Sequence, residues 1–351
     1  MGDENNLPYP FEFRDISDEE KSVIDKLHSF PYASELTRLG PKGYIVTKAF
    51  KKDAANIYNL PLKSSDIFVT SYQRSGTTWT QELVWLLASD LDYEKALAVP
   101  LVDRYSFLEM FMFVPDAGLD SFMNTVSQNT ENFNKETMLQ IVNWLGTPAS
   151  RKLAITPSPR FIKSHLPMSL LPPKVLDTAK MVYVARDPRD VAVSFYHHTR
   201  LFMLTGFKGT FKEFWQLFYG NLLALTPYFE HVKEAWEKRH DPNMLFLFYE
   251  DLSKDLPAAI HRVADFLGKK LDDAQTAALC DHLSIENFKK NKAVNFEEFR
   301  ALGMLAKDEA FVRKGKTGGW RDYFDEEMTQ QAEKWIAENL KDTDLRFPST
   351  N

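Results

Sequence analysis

Short apolar runs alternate with amphipathic stretches through the middle of the chain, and that alternation predicts a mainly parallel sheet covered by helices. "DIFVTSY" reads as a strand, and the residues after it as a helix with Trp79, Leu83, Leu86 and Leu87 at i, i+4, i+7 and i+8. "RFIKSHL" is a second strand candidate. "KMVYVA" and "NMLFLFYE" are apolar on both faces, the pattern of strands buried on both sides. "DPRDVAVSFYHH" opens a helix with Asp187 as cap and Pro188 at its first position. Capping boxes at Ser17/Glu20 and Thr210/Glu213 mark two further helix starts. The expected architecture is a single-domain α/β three-layer sandwich. In such sheets ligands sit at the carboxyl ends of the strands.

Candidate chemistry falls at those ends. In "YQRSGTTW", Ser75, Gly76, Thr77 and Thr78 place backbone N–H groups and hydroxyls at a helix N-terminus, which suits a tetrahedral anion. The loop is P-loop-like, yet it lacks the leading glycine and the Lys-Ser/Thr pair of a Walker loop, and its cation, Arg74, precedes Gly76. Nothing in the loop itself would hold Mg²⁺, so a metal-free chemistry is expected. The plainer alternative is a tight strand-to-helix turn with a solvated Arg74. Lys163 and His165 are two apart, so an extended segment sends both to one face, a base beside a cation that stabilises developing negative charge. A solvated lysine and a structural histidine are the other reading. Arg186 and Ser194 flank "DPRDVAV" and together suit a second phosphate, though each alone is a surface charge or a helix hydroxyl. "FVRKGKTGGWRDYF" puts Arg313, Lys314 and Lys316 among three glycines, either a solvated charge run or a third anion-binding element.

Composition narrows the class. The chain has 351 residues, 44% hydrophobic and 26% charged, with no linker-like or repetitive tract, which favours one large domain. A formal charge of −6 argues against a general nucleic-acid binder, so an anionic ligand needs a local cluster of cations. A single cysteine, Cys280, excludes an intrachain disulfide and points to a reducing compartment. "MGDENNLPYPFEF" has no targeting pattern, and no apolar run reaches the ~18 residues of a membrane span. A cytoplasmic protein without stable membrane anchoring is expected.

"YQRSGTTW", "FIKSHLP", "ARDPRDVAVSFYHH", "FYEDL" and "RKGKTGGW" together resemble the cytosolic sulfotransferases, from about Gly43 to Tyr323. The resemblance implies transfer of a sulfuryl group from 3′-phosphoadenosine 5′-phosphosulfate (PAPS) to a hydroxyl of a small lipophilic acceptor, leaving adenosine 3′,5′-bisphosphate (PAP), without a metal. Arg74, Ser75, Gly76, Thr77 and Thr78 would surround the 5′-phosphosulfate and Trp79 would stack on adenine. Arg186, Ser194, Arg313, Lys314 and Gly315 would hold the 3′-phosphate, with Tyr249, Ser284 and Ile285 against the nucleoside. His165 would take the acceptor proton, Lys163 would stabilise the transferring group, and Arg74 stands where the family has a lysine that assists the leaving phosphate.

The chain also departs from the family. Leu283 and Ile285 fall where a Thr and a Phe are usual, which removes an aromatic face for adenine. The family's C-terminal dimer motif is not spelled in "WRDYFDEEMTQQAE", so a homodimer through it is not assumed. The stretch between the loop and the Lys163/His165 pair is longer than the family's common spacing. It contains the apolar "YSFLEMFMFVP" and a helical stripe of Met138, Ile141, Val142 and Leu145. It reads either as core or as a lid over an apolar acceptor, and Tyr105, Phe107, Phe111, Phe113 and Trp144, with His198, are its candidate acceptor contacts. The implied organisation is an N-terminal segment, 1–42, packed on a domain of 43–351 with a lid-like insert at about 101–158. Several stretches, "HDPNMLFLFYEDL" among them, are similar to insect members of the retinol dehydratase type, which sulfate an allylic alcohol and let the ester ionise. Two other readings stand beside this one, a P-loop-type nucleotide kinase and a non-catalytic carrier of apolar isoprenoids.

Overall fold

The computed structural model describes residues 7–114, 119–129 and 133–349. A small antiparallel sheet comes first, with β1 (Phe13–Asp15), β2 (Leu36–Leu39) and β3 (Tyr44–Thr47) in that order. Pairing of β2 with β3 ties the first 42 residues to those that follow. The main sheet has five strands, β4 (Ile67–Thr70), β5 (Ser106–Phe107), β6 (Phe161–Ser164), β7 (Lys180–Ala185) and β8 (Met244–Phe248), in the order β5-β6-β4-β7-β8. Every neighbouring pair in it is parallel.

The period-two pattern explains the layers. Phe68, Met181, Tyr183 and Phe246 enter one hydrophobic core, while Val69, Val182, Val184 and Leu247 enter another on the opposite face. The expected three-layer α/β sandwich is therefore present, and all four predicted strands are its inner members or its β8 edge. The helix Pro188–Leu201 begins as predicted, with the Asp187 carboxylate accepting from Arg189 N at 2.9 Å and Pro188 in the first turn. Both capping boxes, Ser17/Glu20 and Thr210/Glu213, are formed.

β4 lies between two halves of the sheet, with β5 and β6 on one side and β7 and β8 on the other. The chain diverges at its carboxyl end, where a crevice must open. In register, Thr70 faces Ser164 on β6 and Tyr183 on β7, so Ser71, His165 and the residues after Ala185 arrive there together.

The insert is mixed in character. Its first part supplies β5, an edge strand of the main sheet, and a short turn of helix at Met110–Phe113. The helices Leu119–Asn129 and Lys135–Leu145 follow, the second capped by Asn134. Met138, Val142 and Leu145 of the predicted stripe join Phe122, Met123, Val126 and Met304 in a separate small core, with Ile141 packed against it. Among the described residues no helix is long and apolar enough to cross a membrane.

Candidate active site

The residues between β4 and the helix Thr77–Ala88 form a loop with unusual backbone angles. Arg74 has φ 65° and Gly76 φ 106°. A Cβ on Gly76 would lie 2.6 Å from Tyr249 Cδ2, so only glycine lets the loop approach that ring. Ser71 Oγ and Thr77 Oγ1 are 2.5 Å apart and close the loop's base.

Three guanidinium groups converge on this loop. Arg74 Nε donates to Ser194 Oγ at 3.2 Å and its Nη2 to the Phe311 carbonyl at 3.1 Å, with its guanidinium 4.8 Å from the Phe311 ring. Arg186 lies 4.1 Å over the Tyr249 ring and donates to the Lys316 carbonyl at 3.1 Å. Burial lowers the Arg74 pKa, and repulsion from Arg186 and Arg313 lowers it further. Cations held together in this way are stabilised by an anion. Ser75 Oγ and Arg186 Nε, both buried, have no hydrogen-bond partner among the described residues. A buried donor is costly unless something accepts from it, and at Arg186, which lines the cavity described below, a phosphate or sulfate oxygen would.

Asp190, which sequence reasoning passed over, shapes the C-terminal loop. Its carboxylate accepts from Gly318 N at 2.7 Å and Trp320 N at 2.9 Å, drawing the Arg313–Gly319 loop onto the helix Pro188–Leu201. Gly315 has φ 64° and packs so closely that a Cβ would lie 2.2 Å from Ile285 Cδ1. Trp79 donates to the Leu283 carbonyl at 2.9 Å, and its ring centroid is 5.7 Å from that of Tyr249. Ser284 caps the helix Ile285–Lys290.

His165 follows directly after β6. Its backbone N–H donates to Glu109, its carbonyl accepts from His231 Nε2 at 2.8 Å, and its Nδ1–H donates to the Ser71 carbonyl at 2.9 Å. This fixes the tautomer and leaves Nε2 as an acceptor. Burial holds the imidazole pKa well below its ordinary value, and the charge of Lys163 adds to this. The ring is therefore neutral near pH 7, as a base requires. Burial also brings Lys163 down to about 8, with Glu109 pulling it up and Arg74 pushing it down.

Glu109 was also missed. Its carboxylate accepts from Ser164 Oγ at 2.8 Å as well as from His165 N, and burial raises its pKa to about 7. Beside it, Phe107 pairs in register with Lys163, lies 4.2 Å beneath the Lys163 ammonium and meets the His165 ring edge-on at 5.3 Å.

One cavity of about 470 Å³ joins these groups. Arg74, Gly76, Thr77, Thr78, Trp79, Lys163, His165, Arg186, Ser194, Tyr249, Ser284, Ile285, Arg313, Lys314 and Gly315 line it, while Ser75, which is buried, does not. Of the six aromatic acceptor candidates, Phe107, Phe113 and His198 line the cavity. The other three do not. Tyr105 is buried beside the helix Thr77–Ala88, where its hydroxyl donates to the Gln81 carbonyl at 2.9 Å. Phe111 stacks on Phe50 within the main core. Trp144 is 48% exposed, about 100° around its helix from the buried Leu145 that lines the cavity. Much of the apolar wall comes from segments not singled out, including His28 and Tyr32, Phe202 to Phe207, and Phe296, Phe299 and Met304.

A cation-lined anion loop opening onto a buried neutral imidazole, at the crevice of a parallel sheet, matches one family. The sulfotransferase domain family matches residues 64–344, and the chain belongs to it. It is an enzyme of that class, whose members take the sulfuryl group from PAPS. The luciferin sulfotransferase of Photinus pyralis is 34% identical over 331 residues, covering 92% of this chain and 85% of that protein. Sulfotransferase 1B1 of Mus musculus is 31% identical, covering 87% and 92%. Among solved structures, retinol dehydratase in a complex with retinol and PAP is 55% identical with a TM-score of 0.92, covering 97% of this chain and all of that one. Retinol dehydratase with androsterone and inactive cofactor PAP gives 54% identity and the same TM-score over 97% and 99%.

Proposed function

We propose that this chain moves the sulfuryl group of PAPS onto the hydroxyl of a lipophilic allylic alcohol, retinol or one like it, and that part of the ester then eliminates. One observation carries the reading. His165 Nε2, the uncommitted nitrogen of a buried neutral imidazole, shares a cavity with the cation-lined loop on one side and Phe107, Phe113 and Met110 on the other. The likeness to retinol dehydratase supports the acceptor, and family membership disfavours the kinase and carrier readings.

The donor supplies an activated sulfuryl group when bound. Arg74 and the 75–78 loop would hold its phosphosulfate end. Arg186, whose Nε has no partner among the described residues, would take the 3′-phosphate with Ser194, Arg313 and Lys314, while Trp79 and Tyr249 would face the nucleoside. His165 accepts the acceptor's hydroxyl proton as the oxygen–sulfur bond forms and the bond to the departing phosphate breaks. Lys163, held by β6 and cradled by Phe107, places positive charge where that charge develops.

For an allylic alcohol the new sulfate is a good leaving group. Cleavage of the C–O bond sends the electron pair with sulfate, and the cation loses a proton to give the hydrocarbon. Aromatic faces such as Phe107 and Phe113 stabilise a desolvated cation by ~2 kcal/mol or more. We include in the proposal that the insert, whose Met110, Phe113, Val114 and Leu145 reach the cavity, acts as its lid. The test is turnover of PAPS with retinol and with a small phenol, followed by chromatography of the retinoids. Retinol should be preferred and a dehydrated product should appear. A preference for the phenol with no hydrocarbon would defeat the acceptor reading.

A further inference from the structure

Arg313 sits on a glycine-rich loop, where a long side chain carries about 2 kcal/mol of rotamer entropy that binding must remove. The structure holds it from behind. Arg313 Nη1 donates to Tyr323 Oη at 3.1 Å. Tyr323 Oη lies 2.7 Å from His197 Nε2, and His197 Nδ1 lies 2.8 and 3.0 Å from the two oxygens of Glu309. A carboxylate only accepts, so His197 carries its proton on Nδ1 and Nε2 must accept from the tyrosine hydroxyl. The tyrosine oxygen is thereby turned toward Arg313. Each bond runs in one direction, from guanidinium to hydroxyl to imidazole to carboxylate.

The far end is anchored. Glu309 is 8% exposed, its carboxylate is 3.2 Å from Arg200 Nη1, and its carbonyl accepts from Arg300 Nη2 at 2.9 Å. His197 stands one helical turn beyond Ser194, which lines the cavity, whereas neither His197 nor Tyr323 lines it. Neither therefore has a role through direct contact with a ligand there.

We propose that Tyr323 and His197 are positioning residues, a hydrogen-bonded relay that fixes the Arg313 guanidinium and so sets the preference for a nucleotide bearing a 3′-phosphate. The proposal rests on the assignment of Arg313 to that phosphate. Tyr323→Phe removes one oxygen and keeps the ring that both Arg313 and Lys314 overlie at 5.9 and 5.7 Å, so the chain should still fold. Calorimetric titration with PAP and with adenosine 5′-phosphate is the measurement, on wild type, Tyr323→Phe, Arg313→Ala and the double variant. His197→Phe, which removes both ring nitrogens, tests the second link.

Tyr323→Phe should weaken PAP about five- to tenfold, the worth of one typical hydrogen bond, because it acts only through Arg313, and should leave adenosine 5′-phosphate unchanged. His197→Phe should shift PAP in the same direction. Arg313→Ala should lose more, and adding Tyr323→Phe to it should cost nothing further. If Arg313→Ala discriminates between the ligands while Tyr323→Phe and His197→Phe do not, or if the double variant is additive, the relay is wrong. If Arg313→Ala affects both nucleotides equally, the assignment of Arg313 fails and takes the relay with it.

Discussion

Gly76→Ala should separate the anion loop from the rest of the fold. The added Cβ would lie 2.6 Å from Tyr249 Cδ2. Carbon contacts are comfortable near 3.5 Å, so ring or loop must move by roughly 1 Å. Tyr249 has little room: it is 7% exposed, with the Arg186 guanidinium 4.1 Å above it and Trp79 5.7 Å away. Overpacking of this kind costs about 1–3 kcal/mol. The positive φ adds ~1–2 kcal/mol for any residue with a Cβ. Part of this destabilises the folded chain, and part appears as displaced donor groups. Loss of one charged contact from Arg186 is worth ~1.5–3 kcal/mol, which is roughly a ten- to hundredfold drop in PAP affinity. Gly268→Ala is the control, because Gly268 has φ +72° and nothing within 4 Å of the added carbon. It should show the backbone strain in its melting temperature and bind PAP normally. Calorimetry with PAP and a thermal melt on both variants make the comparison. Gly76→Ala binding PAP within threefold of wild type would refute the reasoning that Tyr249 and Arg186 form one packed unit with the loop.

In the free enzyme, kcat/KM should decline as pH rises through about 8, where Lys163 loses its proton. On the acid side burial holds His165 neutral to well below 6.5, so the fall expected near 7 follows protonation of Glu109 and should be absent from Glu109→Gln. Lys163→Arg should remove the alkaline decline, since a guanidinium does not titrate there. Glu109→Gln removes the negative charge that pulls the Lys163 pKa up, so its alkaline decline should begin at lower pH, with kcat reduced and PAP affinity unchanged in the same assays. His165→Ala should lower kcat by ~10²-fold or more with PAP affinity near wild type, and equal loss of both would mark the residue as structural.

The sheet was legible because β7 and β8 are apolar on both faces and the strands are punctuated by turns or caps, signals that are local in the sequence. β5 was not, since a two-residue edge strand inside "YSFLEMFMFVP" has no period of its own and exists through pairing with β6. The residues that line the cation-rich side of the cavity were readable for a related reason. They sit in short motifs that join a strand to a helix, where backbone geometry and chemistry share one window. Asp190 was on the page inside "DPRDVAV", but its partners are backbone N–H groups about 130 positions away, which no local pattern reveals. Glu109 did leave a trace: a lone carboxylate in an apolar run is rarely buried unless something satisfies it.

The apolar wall shows why aromatic content is a poor guide to what lines a cavity. Tyr105, Phe107, Phe111 and Phe113 lie at even spacings in the sequence, yet only Phe107 and Phe113 line the cavity. β5 lasts two residues, and the short helical turn after it breaks the period of two, so spacing stops predicting direction at Leu108. What then aims Phe107 is its register opposite Lys163 and the bond from Leu108 N to the Lys163 carbonyl at 2.9 Å. The same tripeptide sends Glu109 to His165. Phe107 of the apolar wall and the carboxylate beside His165 are thus two residues apart, so a substitution that shifts Phe107 should also disturb His165, and changes made there to alter acceptor preference should carry a cost in kcat unless they are made on the Phe296–Met304 side.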